Sequence, residues 1–363
     1  MKVTGQTNKL KPTLQDVARE ANTSIASVSR VINNSDFVRD EIRQRVWKAI
    51  ERLQYFPNTT ARSLARGKTV FSNTNQYVGV LFGQFVRSDH SFFSSIISGI
   101  EKTMFDNRIN IVLSSMPSRE NGALCDLPPF LAEDSLRYII LIGEGGGGLL
   151  RYLQTNDFIF VVVDALAPSG VDCVLCDYKR GSVEAMEYLF DLGHSRIGLI
   201  LGPKTHYFSR ALEYGYRKVH ENRGIQVNST HIVYGNDFSA HSGFQGADRL
   251  FSLLPVPTAV FTNDEMAIGV LKKAKALGVR APEDVSLFGF DDIGVASFLS
   301  PPLTTMRIPS QEMGNLAARL LLEHMKETVP SPTRRIEVSP LLVPRESCRN
   351  LSPSLPGQMD DRA

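Results

Sequence analysis

The sequence predicts an all-α helix-turn-helix head joined to an α/β body of two doubly wound lobes, and three observations support this fold class. Residues 12–57 contain three short apolar stripes at helical spacing. From Tyr77 to Glu346, short apolar runs alternate with helical stretches, which is the pattern of parallel sheets covered by helices. Residues 1–68 contain 13 Lys and Arg against 6 Asp and Glu, and the remainder contains 27 against 32. A basic head on an acidic body indicates a polyanionic partner for the head.

The length of 363 residues, 42% of them apolar and 21% charged, fits a globular protein of more than one domain. The sequence contains neither a run of about 18 apolar residues nor the apolar core of a secretory signal. We therefore expect a cytoplasmic, nucleoid-associated protein without a membrane partner. Four cysteines are too few for a disulfide scaffold and suit a reducing compartment.

The head follows a polar segment, residues 1–11, that we expect to be a flexible tail. Thr13, with an acidic residue three positions on, predicts a capping box at the start of the first helix. Ser24 can cap a second helix after a turn of about three residues, and a third helix ends before Pro57. Two helices joined by so short a turn and packed by a third predict a helix-turn-helix DNA-binding domain at residues 12–57.

The second helix of such a domain enters the major groove, so its outward side chains decide specificity. The side chains predicted to face outward are Ile25, Ala26, Ser27, Ser29 and Arg30. Their methyl, hydroxyl and guanidinium groups suit thymine methyls and guanine edges, and the serines, together with Ser24, can equally bind phosphates. A plain three-helix bundle is the alternative.

Residues 58–67 are predicted to form a helix of about two turns, which is marginal in water unless something packs against it. Residues 68–76 predict a polar linker, residues 77–346 form the body, and residues 347–363 are expected to be a disordered tail. Because the tail offers no coiled-coil seam, we expect no tetramer. The strands of the body are predicted at Tyr77–Phe82, Ile109–Leu113, Tyr138–Ile142, Phe158–Val163, Val171–Cys176, Ile197–Leu201, His231–Tyr234, Ala259–Phe261 and Val285–Phe290.

Five segments of the head resemble, in order and spacing, successive signatures of the LacI/GalR (lactose-repressor) family. They are Thr13–Ala18, Ser24–Asn33, Ile42–Trp47, Leu53–Asn58 and Ala61–Leu64. The resemblance implies a transcriptional repressor that binds a pseudo-palindromic operator as a homodimer. It also implies that residues 58–67 fold as a hinge helix on DNA and that Leu64 wedges into a base step of the minor groove. Further DNA contacts that the resemblance implies are Thr13, Ser24, Asn33, Asn58, Ala61 and Arg62.

Six segments of the body continue the resemblance, which extends from Pro12 to Glu346. They are Gly193–Gly198, Phe238–Phe244, Thr258–Gly269, Pro282–Ser286, Phe288–Asp292 and Pro302–Thr305. The resemblance implies a periplasmic-binding-protein-like domain for ligand binding and dimerisation, with a small-molecule effector, a sugar or related metabolite, between two lobes. The chain is expected to cross between the lobes near residues 164–172, 302–308 and 325–334.

Polar side chains that follow the strands of a parallel sheet lie at the crevice where such sheets bind ligands. Asn263 and Asp264 follow one predicted strand, and Asp291 follows another. Ligand contacts that the resemblance implies are Phe92, Phe93, Phe238, Asn263 and Asp291. Capping of the next segments by Asp264 and Asp291 is the structural alternative.

The chain departs from the family at Leu212, where many members have an arginine that binds ligand hydroxyls or a carboxylate. Arg210 lies two residues earlier, about 200° around a helix, and is expected to face elsewhere. The flanks of the cleft are aromatic for a small sugar, and they include Tyr207 and Phe208. A flat or partly apolar effector, or none, is the alternative.

A glycine-rich segment gives a rival interpretation. Gly143–Gly148 is a G-x-G-x-x-G motif between a predicted strand and a helix, and Asp164 ends the next strand. This is the context of a dinucleotide site, so the alternative function is an NAD(H)-binding regulator or enzyme. Cys173 and Cys176 have C-x-x-C spacing but lie in a strand, where buried thiols are expected. We expect no metal site, no resident cofactor and no enzymatic activity.

Overall fold

The computed structural model describes residues 13–32, 38–53, 55, 77–83, 91–116, 128–132, 136–326 and 332–351 of the chain. The head contains three helices, α1 (Leu14–Glu20), α2 (Ile25–Ile32) and α3 (Asp40–Leu53). Thr13 and Asp16 form the predicted capping box at the start of α1, and the Ser24 hydroxyl accepts the Ser27 N–H at 3.1 Å at the start of α2. A small core closes the unit, and its members include Val17, Val28, Val31, Val46 and Tyr55.

The first lobe of the body is a parallel sheet flanked by helices. Its strands are β1 (Tyr77–Phe82), β2 (Asn110–Ser115), β3 (Tyr138–Ile142), β4 (Ile159–Val163), β5 (Asp172–Cys176) and β11 (Arg335–Val338). Their order across the sheet is β11–β5–β4–β3–β1–β2. The helices are α4 (Ser91–Asp106), α5 (Pro129–Ala132), α6 (Gly146–Thr155) and α11 (Ser310–Lys326). β3 and β4 are almost continuous runs of buried Ile, Leu and Val, as strands covered on both faces require.

The second lobe repeats this architecture. Its strands are β6 (Ile197–Leu201), β7 (Ile232–Tyr234), β8 (Ala259–Phe261), β9 (Ser286–Asp291), β10 (Thr304–Arg307) and β12 (Leu341–Val343), in the order β12–β10–β9–β8–β6–β7 with only β12 antiparallel. Its helices are α7 (Tyr178–Asp191), α8 (Tyr207–Asn222), α9 (Ala240–Phe251) and α10 (Asp264–Leu277), with 3₁₀ turns at Ser229–His231 and Ala296–Phe298. Each predicted strand lies within one or two residues of an observed one, and the four-residue β10 and β11 and the three-residue β12 were not predicted.

Two of the three predicted crossings between the lobes are wrong. The chain does not cross at residues 164–172, because β5 still pairs with β4 and β11 in the first sheet. It crosses at residues 176–178 instead. It does not cross at 325–334 either, because β11 returns to the first sheet, so the crossing lies at residues 338–341. The predicted crossing at 302–308 lies close to the observed one at 307–310.

The body extends beyond the predicted boundary at residue 346. The prediction of a disordered tail is therefore wrong for residues 347–351. The Ser347 hydroxyl donates to the Leu287 carbonyl at 2.6 Å and accepts the Thr304 N–H at 2.8 Å. The Leu351 N–H donates to the Leu192 carbonyl at 2.7 Å. These bonds attach residues 347–351 to the second lobe, whereas residues 352–363 lie outside the described ranges. No helix within the described residues is long and apolar enough to cross a bilayer.

Candidate functional site

The outer face of α2 has the chemistry of a base-reading surface. Ile25 is 46% exposed, and Ser24, Ala26 and Arg30 are also exposed. Ser27 and Ser29 are half-buried, and Thr13 is exposed at the start of α1. Asn33, Asn58, Ala61, Arg62 and Leu64 lie outside the described residues, as does the whole predicted hinge helix at 58–67.

The inward face of the head is apolar, and α3 adds positive charge to its surface. Val28 and Val31 of α2 are fully buried and form the inward face of the helix. Exposed cations on or next to α3 are Arg39, Arg45, Lys48 and Arg52. Such cations can contact phosphates beside a helix that reads bases.

A cavity of about 370 Å³ lies between the two lobes. It brings together all five residues predicted to contact a ligand: Phe92, Phe93, Phe238, Asn263 and Asp291. The remaining lining residues are Ser91, Asp164, Tyr178, His206, Phe208, Asp237, Ser239, Glu265, Ile293, Gly294 and Val295. Phe92 and Phe93 come from the first turn of α4, whereas Phe238 precedes α9, so both lobes supply aromatic walls.

Within each aromatic wall, neighbouring rings are in edge-to-face contact. The ring centroids of Phe92 and Phe93 lie 5.0 Å apart. On the opposite wall, the Phe238 ring contacts His206 at 4.8 Å and Phe208 at 5.7 Å. Rings fixed in this way form a rigid apolar surface on which the flat face of a small molecule can pack.

Four carboxylates also line the cavity: Asp164, Asp237, Glu265 and Asp291. The Tyr178 hydroxyl donates to Asp164 Oδ1, and the Ser239 and Ser242 hydroxyls each donate to Asp237 Oδ1 at 2.6 Å. Burial raises the pKa of Asp164 to about 7. Burial, with the nearby Asp264 and Asp164, also raises the pKa of Asp291 well above its ordinary value.

The backbone at Asp291 adopts a conformation that L-residues rarely take. Its φ is +121°, and that of Asp292 is +55°. Arg307 Nε and Arg345 Nη2 each donate to Asp292 at 2.6 Å and fix this turn. Backbone strain of this kind is common at ligand-binding positions, where the surrounding structure maintains it.

Asp264 lies behind the cavity, not in its wall. Its carboxylate accepts the Ile293 N–H at 2.9 Å and the Thr305 hydroxyl at 2.7 Å, and burial raises its pKa to about 7. Asp264 therefore supports the loop that follows β9. Asn263 caps α10 by accepting the Met266 N–H at 3.2 Å and also lines the cavity, so capping and lining coexist at this residue.

No lysine or arginine is among the described residues that line the cavity. Leu212, at the position of the family arginine, is 1% exposed within the core of the second lobe. Arg210 is exposed and does not line the cavity. Within the described residues, the cavity is acidic and aromatic without a cationic clamp.

The glycine-rich turn lies at the end of β3, facing the second lobe. Glu144 Oε1 accepts the Tyr207 N–H at 2.9 Å. Asp164, which a dinucleotide site would need as its ribose ligand, is buried and bonded to Tyr178. Both acidic residues of the rival motif are thus engaged with groups of the second lobe.

Sequence reasoning missed several lining residues, above all Tyr178, His206 and Asp164 as a cleft residue. Tyr178 lies just after the crossing that follows β5, and His206 lies just before α8. Each lines the cavity only because the two lobes face one another. The same rule that identified Asn263 and Asp291, a polar side chain directly after a strand, also applies to Asp164 after β4. Phe208 was predicted as an aromatic flank, and it lines the cavity, whereas Tyr207 does not.

Comparison with known proteins gives the same two-part division. Residues 13–58 match the bacterial regulatory proteins of the lacI family, and residues 186–348 match a periplasmic binding protein-like domain. The chain is 30% identical to the probable HTH-type transcriptional repressor ExuR of Bacillus subtilis, over 94% of this chain and 99% of that protein. It is 33% identical to the HTH-type transcriptional repressor PurR of Escherichia coli O1:K1, over 92% and 96%. The structure of the transcriptional regulator CelR in complex with cellobiose is similar with a TM-score of 0.69 and 28% identity, covering 93% of this chain and 99% of that one.

A helix-turn-helix head joined to a two-lobed binding-protein body defines a DNA-binding transcriptional regulator controlled by a small molecule. The chain belongs to the LacI family of bacterial regulatory proteins. The predicted family, fold class and regulatory function are therefore confirmed. Its relatives are transcriptional repressors and not enzymes.

Proposed function

We propose that the protein represses transcription as a homodimer on a pseudo-palindromic operator, and that an effector in the interlobe cavity changes operator affinity by changing the angle between the lobes. The cavity between the lobes is the observation that carries this proposal, since a ligand there contacts both lobes at once. Coupling between two such sites is typically 1–3 kcal/mol. The protein acts by binding and not by catalysis.

The effector contacts proposed are the three phenylalanines Phe92, Phe93 and Phe238 with the polar pair Asn263 and Asp291. Four carboxylates and no described cation line the cavity. An anion placed there would find no guanidinium or ammonium partner, because no Lys or Arg is among the described lining residues. The effector is therefore a neutral or positively charged polar compound of the sugar class, with hydroxyl or amino groups that donate to the carboxylates and an apolar face that packs on the rings.

The experiment combines thermal unfolding of the full-length protein with its affinity for an operator selected from random duplexes. Candidate effectors are neutral sugars, amino sugars, sugar phosphates, nucleosides, nucleobases and NAD(H). At 100 times its dissociation constant, a ligand adds about 2.7 kcal/mol to the free energy of unfolding. We expect a neutral or cationic compound both to raise the unfolding temperature and to change operator affinity.

Asp291→Asn tests the assignment to the cleft, because it keeps the shape of the side chain and removes its ionisable carboxyl group. We expect this variant to lose the response to the effector, and Asp106→Asn, at the exposed end of α4, to keep it. A response to NAD(H) alone would support the dinucleotide alternative. A response restricted to sugar phosphates would contradict the proposed class of effector.

A further inference from the structure

The glycine-rich turn after β3 makes a contact between the lobes that effector binding alone does not explain. Glu144 lies in the first lobe, and Tyr207 opens α8 in the second. The Tyr207 N–H donates to Glu144 Oε1 at 2.9 Å. The first N–H groups of a helix have no acceptor within the helix, so this contact satisfies a donor that would otherwise lack a protein partner.

The cap of α8 is shared between the two lobes. His206, from the same lobe as α8, accepts the Phe208 N–H on its Nδ1 at 3.3 Å, whereas Glu144 accepts the neighbouring Tyr207 N–H. A carboxylate at this position also interacts favourably with the positive end of the helix dipole. Because His206 and Phe208 line the cavity, the contact lies directly behind its wall.

The glycines of the turn have a structural role in placing Glu144. Gly143 has a φ of +78°, a conformation that favours glycine. At the end of β1, a Cβ added to Gly83 would lie 2.4 Å from the Glu144 carbonyl oxygen, so only glycine allows β1 to approach so closely. The turn is therefore shaped to project Glu144 toward the second lobe.

The contact lies away from two of the crossings about which the lobes can rotate. Those crossings leave the first sheet at β5 and β11, whereas Glu144 follows β3. With about 4.8 Å between neighbouring strands, β3 is roughly 10 Å from β5. A rotation about these two crossings would therefore separate Glu144 from Tyr207 while moving groups near β5 much less.

We propose that Glu144 is a positioning residue for the cleft: its bond to the Tyr207 N–H stabilises the closed arrangement of the lobes and breaks when the cleft opens. The contact positions the start of α8, and with it His206 and Phe208, against the first lobe. Its consequence for effector response rests on the proposed function, whereas the contact itself does not.

Hydrogen exchange of the full-length, ligand-free protein tests the contact at the Tyr207 amide. In Glu144→Ala we expect this amide to exchange roughly tenfold faster or more, as loss of a bond to a charged acceptor predicts. Glu144→Gln retains an acceptor oxygen without the charge, so its Tyr207 amide should exchange more slowly than that of Glu144→Ala. Glu101→Ala, on the exposed face of α4, is the control and should not differ from the wild type.

A second pair of variants removes the donor instead of the acceptor. Tyr207→Pro lacks the N–H but is tolerated at the first helical position, and Tyr207→Ala keeps the N–H while losing the same ring. In small-angle scattering of the ligand-free protein, we expect a larger radius of gyration for Tyr207→Pro than for Tyr207→Ala. Equal radii, unchanged exchange in Glu144→Ala, or equally fast exchange in Glu144→Gln would overturn the proposal. Faster exchange in Glu144→Ala, together with no response of the wild-type protein to any candidate effector, would support the contact and contradict the proposed control by an effector.

Discussion

At the scale of single residues, the cleft contains acidic side chains whose charged form is disfavoured by burial in the folded protein. Burial raises the pKa of Asp164 from 3.8 to about 7, with the Tyr178 bond opposing this shift and the Glu144 charge adding to it. Because the folded-state pKa lies above the unfolded one, Asp164 favours folding below about pH 4, and this contribution is lost as the pH rises to 7. The difference between the two pKa values corresponds to about 4 kcal/mol. Such a group is better explained by ligand binding than by stability.

Asp164→Asn should keep the contact with Tyr178 and remove the ionisable group. We measure the free energy of unfolding by urea denaturation at about pH 4 and pH 8. The decrease between these two pH values should be smaller in this variant than in the wild type, by about 4 kcal/mol. Asp106→Asn, at an exposed site, should follow the wild type. Parallel pH curves for Asp164→Asn and the wild type would show that Asp164 is not held protonated by the fold.

At the scale of secondary-structure elements, α4 and α11 approach so closely that glycines are needed on both helices. A Cβ added to Gly99 would lie 2.0 Å from the Gln311 carbonyl oxygen, and one added to Gly314 would lie 2.0 Å from the Ile96 carbonyl oxygen. Overpacking of this kind typically costs about 1–3 kcal/mol. We expect Gly99→Ala to lower the urea midpoint accordingly. Gly147→Ala is the control, because an added Cβ has open space there in helix α6, and it should raise stability by about 0.5 kcal/mol. A loss of stability in this control as well would mean that the cost of Gly99→Ala does not come from packing.

The elements that the sequence predicted well are those whose pattern is local. Long apolar runs located the central strands, and Thr13 located the capping box of α1, because both signals are complete within a few residues. β10 and β11 are four residues each and mix polar with apolar side chains, so neither has a run long enough to detect. The crossings were misplaced for the same reason, since β5 belongs to the first lobe only through pairing with β4 and the undetected β11. In the cleft, strand-end residues could be predicted, whereas His206 and Tyr178 could not, because their role depends on the opposite lobe.

At the scale of the whole molecule, the division of charge separates the two functions of the chain. The head, with its excess of Lys and Arg, is attracted to any duplex, and this attraction alone gives no sequence preference. Sequence preference requires α2 to contact base edges in both halves of an operator. The acidic body cannot add to phosphate binding, so its influence on DNA must act through the chain that joins it to the head.

That connection is predicted to include the hinge helix at residues 58–67 and the linker at 68–76, and Leu64 is the proposed wedge within the hinge helix. Insertion of an apolar side chain between base steps costs a few kcal/mol of unstacking, which is recovered only when both subunits dock on a matched operator. We therefore expect Leu64→Ala to weaken operator binding at least about tenfold while changing the affinity for a random duplex much less. The measurement is a titration of both duplexes at the same salt concentration, because the phosphate contribution depends strongly on salt. An equal loss on the two duplexes would mean that Leu64 supports the fold of the head and does not read the operator, and control by the effector would then need another route to the DNA.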